Sequence, residues 1–438
     1  MLRLIAPLAA CALAAALWHP VPVAAHQVNG HQLTLAQRDV RVYNNFGDPT
    51  ANDNFVPEAN FPGQVGAPLA IWKASAEWGS LRRGDGEGDP HQPGDLGSGR
   101  ANFDATFQGL TNKVESYGAN VHSEISGGTA GVYAFAELGS VGGWRIRYYG
   151  DWTWDDGPGV AIGGVDLQSV ATHEYGHALG LGHSSAAGAT MLPTITLGST
   201  VARSIEADDI AGLQAIYGAA SATKPVVSGI VELGATIKIV GQNFAPTGNE
   251  VWFTSATTGG APLVLPGVPS PNGFDLYVQV PAGAQPGDLL VKRPGSDHAA
   301  LSNAWPFDPT QPQPCAIALF GASGSNALQL KTSGVPAVGT ALTFQLTGAP
   351  TGTLGLAAFS TGATTLPVLG GIQLLDPQGL VLISLFQAAG PQAQLPFTIP
   401  DVPGLIGKRV FGQAVALDPG APFGLAFSNG VEVLICGG

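Results

Sequence analysis

The chain has 438 residues, with 62 Gly, 34 Pro, 45% apolar residues, only 11% charged residues and a net charge of −13. That length exceeds one ordinary core, since domains of about 100–200 residues are the norm, and a charge-poor chain rich in Val, Leu and Ile excludes disorder as its main state. The acidic balance, with no basic run longer than a pair such as Arg82-Arg83, excludes nucleic acid and polybasic membrane binding, which need clustered Lys and Arg.

At the amino terminus Arg3 precedes an apolar run, Leu4 to Leu17, and then Val23-Ala24-Ala25, the pattern of a secretory leader cut after Ala25. Leu8-Ala9-Ala10-Cys11 superficially resembles a lipoprotein cleavage box, but the apolar run before Cys11 is short and continues past it. No later segment reaches about 18 apolar residues without a break, so no membrane span is expected. The expectation is a secreted, extracellular protein, and a monomer.

Past the leader, charge divides the chain. Residues 26–218 hold 21 of the 31 acids and 10 of the 18 bases, whereas residues 219–438 are apolar and punctuated by Gly and Pro. In the first part Pro68 to Trp78 reads as a helix, with Leu69, Trp72 and Ala76 on one face. Gly79 to Gly99 has no periodicity and reads as a long surface loop. Its Arg83-Gly84-Asp85 matches an integrin-binding tripeptide, a match that Gly/Asp-rich loops make easily by chance. Val121 to Ile125, Val132 to Leu138 and Trp144 to Tyr149 read as strands, Leu167 to Leu179 as a second helix, and Ile205 to Tyr217 as a third. Mixed strands and helices make this an α+β domain. Asp208 and Asp209 open the third helix, where acids suit the positive end of the dipole.

The chemistry concentrates in Ala171-Thr-His-Glu-Tyr-Gly-His-Ala-Leu-Gly-Leu-Gly-His-Ser184. On a helix His173 and His177 are one turn apart and share a face, so both imidazoles can bind one tetrahedral metal. Glu174 adjoins the first ligand and can reach a water on that metal. Gly180 can take the left-handed conformation that ends the helix and returns His183 as a third ligand. Three nitrogens leave a fourth position for water, the open arrangement of a catalytic Zn2+. A solvated helix face with chance histidines is the bland alternative, but three of the chain's nine histidines fall within eleven positions here. Met191, eight residues past His183 and the only methionine after the initiator, is placed to form an apolar floor beneath the imidazoles.

HExxHxxGxxH followed by that methionine resembles the metzincin signature, and Ser184, Pro193 and the helix Ala207–Gly218 resemble its matrixin branch. The resemblance spans about Tyr43 to Gly218. It implies a catalytic domain with a twisted sheet and three main helices, in which His173, His177 and His183 hold one zinc and Glu174 is the general base. It also implies that such a carboxylate as Asp208 or Asp209 can receive a freshly cut amino terminus. Two family features are missing: no Cys lies between 12 and 314 to impose latency, and only His91 and His122 lie between 32 and 172 for a structural zinc. Asp85, Glu87, Asp89 and Asp95, or Asp151, Asp155 and Asp156, either bind Ca2+ or are solvated loop acids.

Ala-Ala-Ser-Ala-Thr-Lys-Pro, 219–225, reads as a linker. Short alternating runs follow at Thr236–Val240, Glu250–Phe253, Leu276–Val280 and Leu289–Val291, the pattern of a small β-sandwich. Pro225-Val-Val-Ser-Gly-Ile, Gly234 to Phe244 and Val280 to Gly287 resemble an IPT/TIG module, which implies an immunoglobulin-type fold and little about its ligand. After a second linker, Asp308 to Pro314, residues 315–438 carry seven charged residues and repeated strand-like runs, so a second sandwich is expected. Cys315 and Cys436, an even pair in an oxidising compartment, suggest one disulfide, with two free thiols as the alternative.

The expected organisation is therefore multidomain: leader 1–25, α+β metzincin-type domain 26–218, IPT/TIG-like β-sandwich 219–308 and C-terminal β-sandwich 309–438. The expected function is a secreted zinc endopeptidase acting on protein or peptide, its β modules meeting a cell-surface or matrix ligand. The alternative is an adhesion or surface-binding protein with a vestigial protease domain.

Overall fold

The computed structural model describes residues 25–84, 96–114, 119–139, 143–159, 163–233, 236–255, 260–310, 317–321, 328–369, 371–388, 392–402, 405 and 408–435. The leader, most of the acid-rich loop and both Cys315 and Cys436 lie outside them.

The first part carries strands β1 (Asp39–Tyr43), β2 (Thr106–Leu110), β3 (Val121–Ile125), β4 (Ala134–Leu138) and β5 (Trp144–Tyr149) in one sheet of order β2-β1-β3-β5-β4. β2, β1, β3 and β5 run parallel, and β4 is antiparallel to β5 at one edge. Helices α1 (Gly66–Glu77) and α2 (Leu167–Leu179) pack on it with α3 (Ala207–Tyr217). A short parallel pair, β6 (Trp154–Asp155) and β7 (Val165–Asp166), leads into α2. β1 and β2 add to the strands read from sequence. Their polar residues are buried too: Asp39 and Arg41 pair at 2.9 Å, and Gln108 is 2% exposed. In sequence β1 alternates, Asp39-Val-Arg-Val, as a half-exposed strand does, yet the fold buries its polar face as well.

α1 is buried on nearly every face, Lys73 and Glu77 included. Lys73 meets Glu58 at 3.0 Å, and the Glu77 carboxylate accepts the Ile205 N–H at 3.0 Å. Buried charges persist only when paired in this way. Trp72 stacks on Phe107 of β2 with centroids 4.2 Å apart, and the Trp78 indole N–H donates to the Thr172 carbonyl of α2 at 3.1 Å. Asp166 caps α2 through the Ser169 N–H and pairs with Arg203, both side chains at most 1% exposed.

Beyond residue 225 the described elements are strands, apart from 3-10 turns such as His298–Ala300. β8 (Val226–Leu233), β9 (Thr236–Gln242) and β12 (Asp275–Gln279) form one sheet. β10 (Asn249–Ser255), β11 (Leu263–Val268), β13 (Ala284–Lys292) and β14 (Trp305–Phe307) form another. Val227, Ile230, Ile239, Val251, Phe253 and Leu289 close one apolar core between them. β15 (Ile317–Phe320), β18 (Leu354–Ser360), β21 (Leu380–Gln387), β23 (Arg409–Leu417) and β24 (Leu425–Leu434) make a five-stranded sheet of order β15-β24-β23-β18-β21. β16 (Gln329–Ser333), β17 (Ala341–Thr347) and β22 (Gln392–Thr398) make a three-stranded one, and β19 (Ala363–Val368) pairs with β20 (Gly371–Leu375).

The second group of sheets docks on the edge strand β2. Asp288 of β13 accepts the Phe107 N–H at 2.7 Å and forms an ion pair with Arg83, both charges nearly inaccessible. Thr254 of β10 donates to the Phe107 carbonyl at 2.6 Å, and the Ser255 N–H donates to Gln108 at 3.1 Å. Side chains thus satisfy a sheet edge that another chain would otherwise find open. Lys224 pairs with Asp104 at 2.9 Å, and Arg38 donates to His298 Nδ1 at 2.7 Å while its guanidinium lies 4.2 Å over the Phe103 ring. The arginine of the integrin-like tripeptide is thus part of this contact, 6% exposed.

Removing one partner of a buried pair strands the other charge, at a cost of about 3–5 kcal/mol. Asp288→Ala is expected to lower the unfolding free energy by that order in a denaturant titration, and Arg83→Met with Asp288→Leu to recover part of it. Because Arg38 only donates, His298 Nδ1 must accept and be unprotonated. Burial, then Arg38, holds the His298 pKa down to about 4 from the ordinary 6.5, with Lys224 adding to and Asp297 opposing the shift. The stability this contributes is full above about pH 6.5 and lost as pH falls through about 4. His298→Gln is expected to flatten that part of a pH–stability curve, and an unchanged acid limb would contradict it.

Candidate metal centre

Helix α2 covers the residues read from sequence, Leu167–Leu179, and ends at Gly180 with φ at 109°. That conformation is open to glycine, and here a Cβ would also stand 2.1 Å from the His31 carbonyl oxygen. The turn returns the chain so that ligand-capable nitrogens of His173, His177 and His183 lie within 4.8 Å of one another. Among the described residues they are the one group of three or more such side chains.

Two imidazoles are aimed by backbone carbonyls. His173 Nδ1 lies 2.7 Å from the Thr190 oxygen and His177 Nδ1 lies 2.8 Å from the Leu181 oxygen. A carbonyl accepts only, so each Nδ1 carries the proton and each Nε2 offers its lone pair to the tripod. Burial, then the neighbouring His177, lowers the His173 pKa to about 3, and burial lowers His177 as well. Neutral imidazoles with fixed tautomers are what a metal ligand requires.

Glu174 is 7% exposed, and burial raises its carboxyl to about 8 against an opposing hydrogen bond from the Ala136 backbone of β4. Its Oε2 is buried with no hydrogen-bond partner. The carboxylate faces a cleft of about 540 Å³ between edge strand β4 and the chain after Met191. Tyr133, Phe135, Val170, Leu192, Pro193 and Ile195 give it apolar walls.

Met191 is 1% exposed and packs against α2: its Sδ stands 2.3 Å from where a Cβ on Gly176 would be, and Trp78 lies 2.9 Å from the same point. Asp209 fixes this turn, its carboxylate accepting the Thr190 N–H at 2.8 Å and the Met191 N–H at 3.1 Å. Sequence reading gave Asp208 and Asp209 the same roles, at the helix dipole and as acceptor of an amino terminus; the complete burial of Asp209 was not encoded in any local pattern. Asp208 accepts the Ser184 hydroxyl at 2.7 Å and the Ala25 N–H at 3.1 Å. Residues 27–29 strap the ligand turn, with the Gly182 N–H on the Gln27 carbonyl and the Asn29 N–H on the Gly180 carbonyl, each at 2.8 Å.

The other metal candidates do not assemble among the described residues. Asp155 accepts the Gly157 N–H, Asp156 accepts the Asn54 N–H, and His122 is buried against the Tyr148 hydroxyl at 2.8 Å. Asp85, Glu87, Asp89, Asp95 and His91 lie outside the described residues.

The matrixin family profile matches residues 93–218. This chain carries a matrixin-like metzincin domain. The matrixin-like segment is 41% identical over 102 residues to matrilysin of Rattus norvegicus, covering 23% of this chain and 36% of that protein. It is 54% identical over 55 residues to metalloendoproteinase 2-MMP of Arabidopsis thaliana, 13% of this chain and 14% of that one. To matrix metalloproteinase-19 of Homo sapiens it is 35% identical over 121 residues, 28% and 21% of the respective chains. The chain thus spans between 14% and 36% of the length of these curated relatives. The matrixin family implies zinc, and the His173, His177 and His183 cluster fits it.

Because Met191 packs on Gly176, between the two helical histidines, one methyl group tests this contact. Gly176→Ala is expected to cost about 1–3 kcal/mol by overpacking and to weaken zinc binding by roughly 10–100-fold. A melting curve and competition with a chromophoric chelator measure the two separately.

Proposed function

We propose that the chain is a zinc-dependent endopeptidase that hydrolyses peptide bonds within proteins, with His173, His177 and His183 as zinc ligands and Glu174 as general base. The observation that carries this is the buried Glu174 Oε2, unpartnered beside three imidazoles whose free nitrogens converge. Zinc, when bound there, acts as a Lewis acid that makes a water acidic near neutral pH and polarises a carbonyl. Glu174 takes the proton of the attacking water and later delivers it to the departing amine nitrogen. β4 closes one end of the catalytic sheet, and no described strand pairs with its outer edge. An extended substrate can therefore add there through backbone hydrogen bonds. The apolar walls at Val170, Leu192 and Ile195 favour a large apolar side chain next to the cleaved bond.

Export with removal of residues 1–25 is part of the proposal. It leaves His26 at the amino terminus, one residue past the Ala25 N–H that faces Asp208 and with its own ring 3.4 Å from that carboxylate, which supports Asp208 as the acceptor of the new terminus. No helix among the described residues is long and apolar enough to cross a membrane. The sandwiches 219–308, with its IPT/TIG-like turns, and 309–438 remain the proposed division of the second half. The register Ile317↔Val433 brings the strands next to the two cysteines together, which supports a Cys315–Cys436 bridge.

Glu174→Gln is expected to keep one zinc per chain and to lose about 10²–10⁴-fold in hydrolysis of unfolded casein. A chelator should abolish wild-type turnover and added zinc restore it. Hydrolysis that survives chelation or the substitution overturns the reading. Zinc-loaded wild-type protein without any activity would favour the adhesion alternative.

A further inference from the structure

The C-terminal five-stranded sheet ends in β21, whose eight residues pair with β18 on one side and with no described strand on the other. Val381, Ile383 and Leu385 of β21 are exposed on it, Leu385 at 78%. Leu356 of β18 sits opposite Leu385, and Leu354 opposite Gln387, so both join the same surface. Leu380 and Leu382 are exposed as well, at the start of the face whose Phe386 is buried in the core. The exposed area of these side chains is on the order of 500 Å², the size of the largest apolar patch on an ordinary monomer.

Natural edge strands are blunted by Lys, Pro or a bulged end. β21 has neither Lys nor Pro, and across residues 332–400 Asp376 is the sole charged residue. The same features select the occupant. A charged peptide finds nothing to pair with. An anionic bilayer needs basic residues, and an interfacial site is marked by Trp and Tyr, yet residues 309–438 contain neither Trp nor Tyr. A sugar has no flat indole or phenol to stack on. What suits an uncharged strand with an open hydrogen-bonding edge is another of its kind: centred on Ile383, an antiparallel pair sets Ile383 against Ile383 and Val381 against Leu385 on the exposed face.

We propose that β21 is a self-association edge, at which two copies of the chain join antiparallel about a two-fold axis and merge their five-stranded sheets. Such a pair closes the free backbone edge along the eight residues of β21 and covers the flanks of Val381, Ile383 and Leu385, which places it at the small end of specific interfaces.

The test uses the full mature chain in sedimentation and in amide hydrogen exchange up to about 100 μM, above the Kd of a micromolar pair. A mass of two chains is expected, with protection of residues 380–387 that rises with concentration. Ile383→Lys and Leu385→Lys should each halve the mass and remove that protection, while melting temperature and casein hydrolysis stay as in the wild type. A monomer at every concentration overturns the proposal, as does a dimer that ignores both substitutions. A dimer without added amide protection overturns edge pairing in favour of face stacking. Capture of a monomeric wild type by phosphatidylcholine vesicles assigns the patch to lipid and overturns it equally.

Discussion

Asp209, wholly buried at the start of α3, accepts the backbone N–H groups of Glu206, Thr190 and Met191. Thr190 then presents its carbonyl to His173, and Met191 lies against Gly176 between the two helical histidines. One carboxylate on the third helix therefore sets a ring on the second, through a turn that has no regular structure of its own. A buried acid with several donors is held by geometry that water cannot supply, and the loss of any donor is expensive. The tripod is held for that reason: two of its imidazoles stand on one helix, and the carbonyl that orients His173 is anchored to another.

The second half of the chain is tied to the first by charge as much as by apolar area. Arg83 with Asp288, Lys224 with Asp104, and Arg38 with His298 all meet where β13 and the linker cross β2 and α1. Such pairs stabilise weakly against an apolar replacement but punish mismatch strongly, so they specify one docking geometry rather than simple adhesion. Trp72 carries the link onward, since it stacks on Phe107 while Phe107 bonds to Asp288 and Thr254. Damage at this seam is transmitted to α1, and through Trp78 to α2.

What was legible in the sequence followed from local rules. The second helix could be read to both ends because Asp166 caps it and Gly180 ends it, and the spacing of three histidines encodes their convergence. β1 escaped because Asp39 and Arg41 neutralise each other inside the sheet, and a buried ion pair looks in sequence like a solvated face. Asp209 and Arg83 escaped for a related reason: their partners lie 18 and 205 positions away, and no window along the chain contains both ends. In the last segment the strands were visible as runs, but their order in the sheet depends on pairings such as β18 with β23 that only the folded chain makes.

The catalytic sheet is asymmetric at its two rims. At β2 the rim is sealed by Asp288 and Thr254, whereas β4 ends the sheet beside Glu174 with no described strand on its outer edge. A strand that adds at β4 must surrender whatever pairing it had before. A well-folded target then limits its own destruction, because the scissile stretch has to detach from its parent fold to become a guest in this one. Breakdown of such targets would track the free energy of their local opening rather than the number of scissile bonds they contain.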